Sequence, residues 1–115
     1  MELTQLSPHF AVSPQIQPHE VAKISAAGFK AIINNRPDGE EPDQPTSADI
    51  EAEAKRQGLA YWHIPVAPGQ ATQKDADAFA AAVWGTGGPV VAFCRTGNRS
   101  TSLWRMSQQA SRAQR

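Results

Sequence analysis

Cysteine is almost missing from this 115-residue chain, which carries one, Cys94. A single thiol cannot close an internal disulfide, and no second thiol is present to resolve an oxidised one, which fits a reducing compartment. One cysteine and three scattered histidines show no ligand spacing, so neither a zinc site nor a cofactor is expected. An excess of one charge is missing too. With 11 Lys and Arg against 11 Asp and Glu, there is no broad electrostatic pull toward nucleic acid or an anionic membrane. No apolar run approaches the ~20 residues that span a bilayer. The first residues, MELTQLSPHFAVSPQI, lack the positive cluster and long apolar block of a secretory signal. These absences predict a soluble, cytoplasmic protein, and the length suits one domain, residues 1–115, with a single core.

What is present alternates. A short extended lead-in around Phe10 to Val12 precedes a helix with Pro18 at its first position and Gly28 as its C-terminal cap. FKAIINN (29–35) is a β-branched run ended by Arg36-Pro37-Asp38-Gly39, a strand entering a polar loop that EEPDQP extends. TSADIEAEAKRQG opens with Thr46 three residues before Asp49, close to a capping box, and ends at Gly58. LAYWHI is the next strand. ATQKDADAFAAAVWG repeats the helical pattern, with Ala76, Phe79, Ala80 and Val83 on one face. PVVAF is the last strand and RSTSLWRMSQQASRA the last helix. This order predicts an α/β fold, a mainly parallel sheet of about four strands flanked by helices. Ligands of such sheets bind beyond the carboxyl ends of the strands. Asn35 to Asp38, His63 to Gly69 and Cys94 to Ser100 all fall at those ends and should share one rim.

Cys94 ends a buried strand and a helix follows within a few residues, so its sulfur should face a helix N-terminus. Unpaired amides and the helix dipole favour negative charge there. Such surroundings bring a thiol from ~8.5 into roughly the 3.5–7.5 range, where the nucleophilic thiolate exists at neutral pH. Gly97 can adopt a left-handed conformation that lets the amides of Thr96, Gly97 and Asn98 turn inward as an anion nest. Arg99 offers a planar fork for an oxyanion, Arg95 adds to the field or points outward, and Ser100 and Thr101 could donate hydroxyls to the thiolate. The plainer alternative is a free cysteine acting as a small core hydrophobe.

CRTGNRS resembles the thiolate loops of tyrosine and dual-specificity phosphatases and of rhodanese-type sulfurtransferases. AIINNRPDGEEPDQP, YWHIPV and GPVVAFCRTGNRSTSLW, in that order, more closely resemble the phosphatase-like domain of beta-lactamase-hydrolase-like proteins, a bacterial family also described as sulfur transferases. The resemblance runs from Phe10 to about Met106 and implies a dual-specificity-phosphatase-like fold. Phosphatase loops hold five residues between Cys and Arg. Here there are four, Arg95, Thr96, Gly97 and Asn98, the rhodanese length.

A shorter loop closes a narrower ring, better sized for the outer sulfur of a persulfide than for three phosphoryl oxygens. Phosphatases also use a general acid to protonate the leaving oxygen. PVAPGQAT, in the comparable place, has no carboxylate, which leaves Asp38 as the candidate acid or simply as a turn residue. The leading expectation is a sulfurtransferase that attacks thiosulfate or a small-molecule persulfide and holds the sulfur as a Cys94 persulfide. Its setting would include a partner enzyme of sulfide oxidation. The alternatives are a phosphatase acting on a phosphate ester through a Cys94 phosphoenzyme, and a non-catalytic anion-binding module. Arg36 either contacts the anionic substrate or is solvated, and His63 faces the rim or stacks in the sheet. Trp62, Trp84 and Trp104 are expected as core or groove wall. Arg105, Arg112 and Arg115 are expected to form a solvated face near the last helix end.

Overall fold

The computed structural model describes the backbone of residues 2–113 and the side chains of residues 2–108. Arg115 and the side chain of Arg112 therefore lie outside the described residues, while Arg105 is exposed as expected. The strands are β1 (Thr4–Ser7), β2 (Phe10–Ser13), β3 (Ala31–Asn34), β4 (Ala60–His63) and β5 (Val90–Phe93). The helices are α1 (Val21–Ala26), entered through a 3-10 turn at Pro18–Glu20, then α2 (Ser47–Arg56), α3 (Gln73–Gly85) and α4 (Asn98–Ala113). The sheet has five strands in the order β1-β2-β5-β3-β4. All pairs from β2 to β4 are parallel, and β1 adds an antiparallel edge with a bulge between Gln5 and Ser7. The mainly parallel α/β architecture is as expected. β1 is the strand that the sequence pattern did not suggest.

Each face of the sheet has its own apolar layer, because successive side chains of a strand point to opposite sides. Phe10, Val12, Ala31, Ile33, Val90 and Ala92 pack against Ala76, Phe79 and Val83 of α3 and Leu103 of α4. Ala11, Ile32, Val91 and Phe93 pack against Val21 and Ile24 of α1 and Ile50 and Ala54 of α2. Burial on both faces explains why β3 and β5 read as continuous apolar runs. The inward residues of α1, Val21 and Ile24, have no solvent exposure, and each such side chain contributes about 1.5–3 kcal/mol. Thr72 and Asp75 exchange both bonds of a capping box at the start of α3. At α2, Thr46 accepts from the Asp49 amide at 3.1 Å.

Register carries the fold to the site. Ser13 pairs with Phe93, Phe93 with Asn34, and Asn34 with His63. The parallel strands therefore end in one row, and the segments after them start side by side. The three polar segments do share a rim.

Candidate active site

Cys94 leaves β5 at the centre of that row, and α4 starts at Asn98. Gly97 takes φ +95°, which turns its amide back onto the Cys94 sulfur at 3.0 Å. Cys94 itself has no exposed surface. Burial alone would raise the thiol, but the amides of Ser100, Thr96, Arg99 and Gly97 outweigh it and hold its pKa below the ordinary thiol value. Two of these amides, those of Arg99 and Ser100, belong to the first turn of α4, where N–H groups lack helical acceptors.

The hydroxyls go elsewhere than expected. Ser100 Oγ donates to Asn35 Oδ1 at 2.8 Å, and Thr101 Oγ1 donates to the Gly97 carbonyl at 2.9 Å. Thr101 bonds back to the carbonyl four residues earlier and Ser100 meets the Asn35 side chain, so the sulfur is served by backbone rather than by hydroxyls. Asn35, fully buried after β3, also donates to the Ile64 carbonyl at 2.9 Å. It thereby ties the ends of β3 and β4 to the start of α4.

Arg99 reaches across the rim. Its Nη1 donates to Glu40 Oε2 at 2.6 Å and to the Val66 carbonyl at 2.9 Å, and its Nη2 donates to Glu40 Oε1 at 2.9 Å. The pairing lowers the Glu40 carboxyl to about 2, chiefly through the Arg99 hydrogen bond and against the opposing effect of burial. Arg99 rises for the same reason, with smaller contributions from the Cys94 sulfur. Glu40 is open at its backbone, but its side chain is only 21% exposed.

Arg36 was expected to be solvated or to meet a substrate anion. It is instead buried, 3% exposed, with every nitrogen of its fork engaged. Nε donates to Glu40 at 2.9 Å, Nη1 to Gln15 at 2.8 Å and Nη2 to Glu41 at 2.8 Å. Folded over this side chain, the loop after β3 presents its two glutamates to the rim. Arg95, 64% exposed at its side chain, pairs with Glu41 at 3.0 Å. Asp38, the candidate acid, accepts from the Ser47 amide at 2.8 Å and fastens the loop to the start of α2. Its placement fits the turn reading, since an anion beside a helix N-terminus is stabilised there. His63 Nε2 lies 2.9 Å from the Arg36 carbonyl, so His63 also braces this loop.

A cavity of about 490 Å³ opens beside the thiol loop, lined by Val66, Pro68, Arg95, Thr96, Asn98 and Arg99 among others. It is large enough for a small ligand. Arg36, Glu40, Glu41, Pro68, Arg95 and Arg99 line a neighbouring recess of about 360 Å³. A separate groove of about 270 Å³ lies between Phe10, Val83, Trp84 and Trp104, and shares no residue with the thiol loop. There Trp104 stacks on Phe10 at 4.2 Å and Trp84 is 67% exposed, so two tryptophans serve as groove wall. Trp62 packs against the α3–α4 layer.

Sequence reasoning missed Glu40, Glu41 and Gln15, and placed Asn35 on the rim without its bonding role. The Arg36–Glu40 spacing was a readable hint of local pairing. Nothing local indicates that Glu40 meets an arginine 59 positions later.

Residues 2–111 match the model of the phosphatase-like domain of beta-lactamase hydrolase-like proteins. A beta-lactamase hydrolase-like protein of Xylella fastidiosa is 37% identical over 108 residues, covering 94% of this chain and 25% of that protein. Its counterpart in Agrobacterium fabrum is 36% identical over 104 residues, covering 90% and 24%. The chain thus spans about a quarter of the length of these curated relatives. Among solved structures, a "putative phosphatase" of Neisseria meningitidis is 36% identical with a TM-score of 0.80, over 87% of this chain and 71% of that one. Tk-PTP, 16% identical with a TM-score of 0.67 over 83% and 61%, shares the fold. A thiolate loop on a phosphatase-like fold and a family match spanning nearly the whole chain lead to one assignment: the chain belongs to the phosphatase-like domain family of the beta-lactamase hydrolase-like proteins.

Proposed function

We propose that this domain is a cysteine-nucleophile sulfurtransferase that moves a sulfane sulfur through a Cys94 persulfide. One observation carries the reading. The thiol is held by the amides of Thr96, Gly97, Arg99 and Ser100, only four residues separate Cys94 from Arg99, and the carboxylate on Arg99 is ionised at neutral pH and has no proton to give. With thiosulfate, the Cys94 thiolate attacks the outer sulfur, a Cys94 S–S bond forms, and the bond to the sulfonyl sulfur breaks. Sulfite leaves with the bonding pair and needs no proton. A thiolate acceptor then attacks the outer sulfur of the Cys94 persulfide, taking that sulfur and restoring the Cys94 thiolate. A small-molecule persulfide would serve as donor in the same way, and a partner enzyme of cytoplasmic sulfide oxidation would consume the product. Amides of Thr96, Gly97, Arg99 and Ser100 would stabilise the persulfide anion, as they do the thiolate.

The "putative phosphatase" description of the Neisseria relative favours a second reading, hydrolysis through a Cys94 phosphoenzyme. That route needs a donor for the leaving oxygen, and Asp38, the candidate, is engaged through one oxygen with the Ser47 amide. A side-by-side assay decides between them, with wild type and Cys94→Ser each given thiosulfate plus cyanide and, separately, an aryl phosphate. Thiocyanate formation lost in Cys94→Ser supports sulfur transfer. Aryl phosphate turnover lost in that variant, without thiocyanate, supports the phosphatase.

A further inference from the structure

A thiolate that attacks an anion gains nothing from a carboxylate next to it, yet Glu40 is held there from two sides. Arg99 grips both carboxylate oxygens, at 2.6 and 2.9 Å, and Arg99 also lines the cavity beside the thiol loop. Buried Arg36 fixes Glu40 from behind at 2.9 Å, through a nitrogen that has no other partner described. Glu40 therefore stands one guanidinium away from the place where a transferred group must sit. Charges act over ~8–10 Å at ordinary ionic strength, so a carboxylate on this arginine bears on any anion bound beside it. The formal charges of Arg36, Arg95, Arg99, Glu40, Glu41 and a Cys94 thiolate cancel. An incoming anion is thus met by oriented amides and not by a net positive field.

We infer that Glu40 is a specificity-determining residue that limits the charge accepted at the Cys94–Arg99 centre. It favours a singly charged group, such as the terminal sulfur of an organic persulfide, over a dianion such as thiosulfate or a phosphate ester. This rests on reading Cys94 and Arg99 as the anion-binding centre, but not on which group is transferred. Coulomb energy is proportional to the charge of the bound ion. Removing the carboxylate's charge should therefore change the logarithm of a dianion's affinity twice as much as that of a monoanion.

The test is equilibrium binding of nitrate and of sulfate by calorimetry, in Cys94→Ser protein with and without Glu40→Gln. The serine background removes thiolate titration and turnover, so the outcome is independent of whether sulfur transfer occurs. Glutamine keeps the shape and one acceptor for Arg99. The expected result is a gain of about threefold for nitrate and about tenfold for sulfate. Equal gains would overturn the inference, since they would mean that any anion simply displaces Glu40. Weaker or unchanged binding would overturn it too, leaving Glu40 as a support for Arg99. Glu41→Gln, which leaves the Arg99 fork occupied, should give the smaller sulfate gain of the two.

Discussion

Gly97 is where one atom matters most. Its φ of +95° disfavours any side chain, and an added Cβ would stand 3.4 Å from the Ser13 carbonyl oxygen. An alanine there should destabilise by more than about 1 kcal/mol, because the native conformation is wrong for it. It should also pull the Gly97 amide off the sulfur, now at 3.0 Å. The midpoint of the pH profile of Cys94 alkylation should then rise toward that of free cysteine. An unchanged midpoint in a folded Gly97→Ala protein would mean that this amide does not hold the thiolate. The cysteine, the glycine and Arg99 were legible in the sequence because they act within one turn of chain. The place of Asn35 on the rim was legible too, but its bonding was not, since its two partners, Ile64 and Ser100, come from other segments.

At the scale of elements, the loop from Pro37 to Thr46 is the least legible part of the site and the most consequential. Its composition, rich in Pro, Asp and Glu, reads as a solvated connection. Three contacts turn it into a rim: Arg36 beneath it, Asp38 on the Ser47 amide, and Gln44 donating to the Pro37 carbonyl at 2.8 Å. Asp38→Asn keeps an acceptor for the Ser47 amide, so stability should change by less than about 1 kcal/mol. Thiosulfate turnover should stay within about twofold of wild type if Asp38 only anchors the loop. A large loss of aryl phosphate turnover in the same variant would restore Asp38 as an acid. The helices and inner strands were readable from caps and apolar spacing, such as Thr72–Asp75 in α3. β1 was not, because TQLS is short, partly exposed and paired only along an edge.

For the whole molecule, the parallel register is what converts three distant segments into one site, and alternation of strands with helices already implied it. The salt links across the rim also tie stability to pH. Glu40 has its carboxyl lowered from 4.5 to about 2, so its ionised form is favoured in the folded state. That contribution is fully present above pH 4.5 and is lost as the pH falls toward about 2. Wild type should therefore lose more of its melting temperature over that interval than Glu40→Gln does, while the two curves run parallel above it. Parallel curves throughout would mean that the Arg99–Glu40 pair adds nothing to folding.

Sulfur transfer requires that Cys94 itself take up sulfur. Intact and peptide mass measurement of the protein after exposure to thiosulfate or an organic persulfide tests it without relying on turnover. The expected result is the added mass of one sulfur, confined to the Cys94 peptide, absent in Cys94→Ser and removed by a thiol acceptor. A Cys94 that stays unmodified under both donors, while the wild-type protein steadily hydrolyses an aryl phosphate, would contradict it.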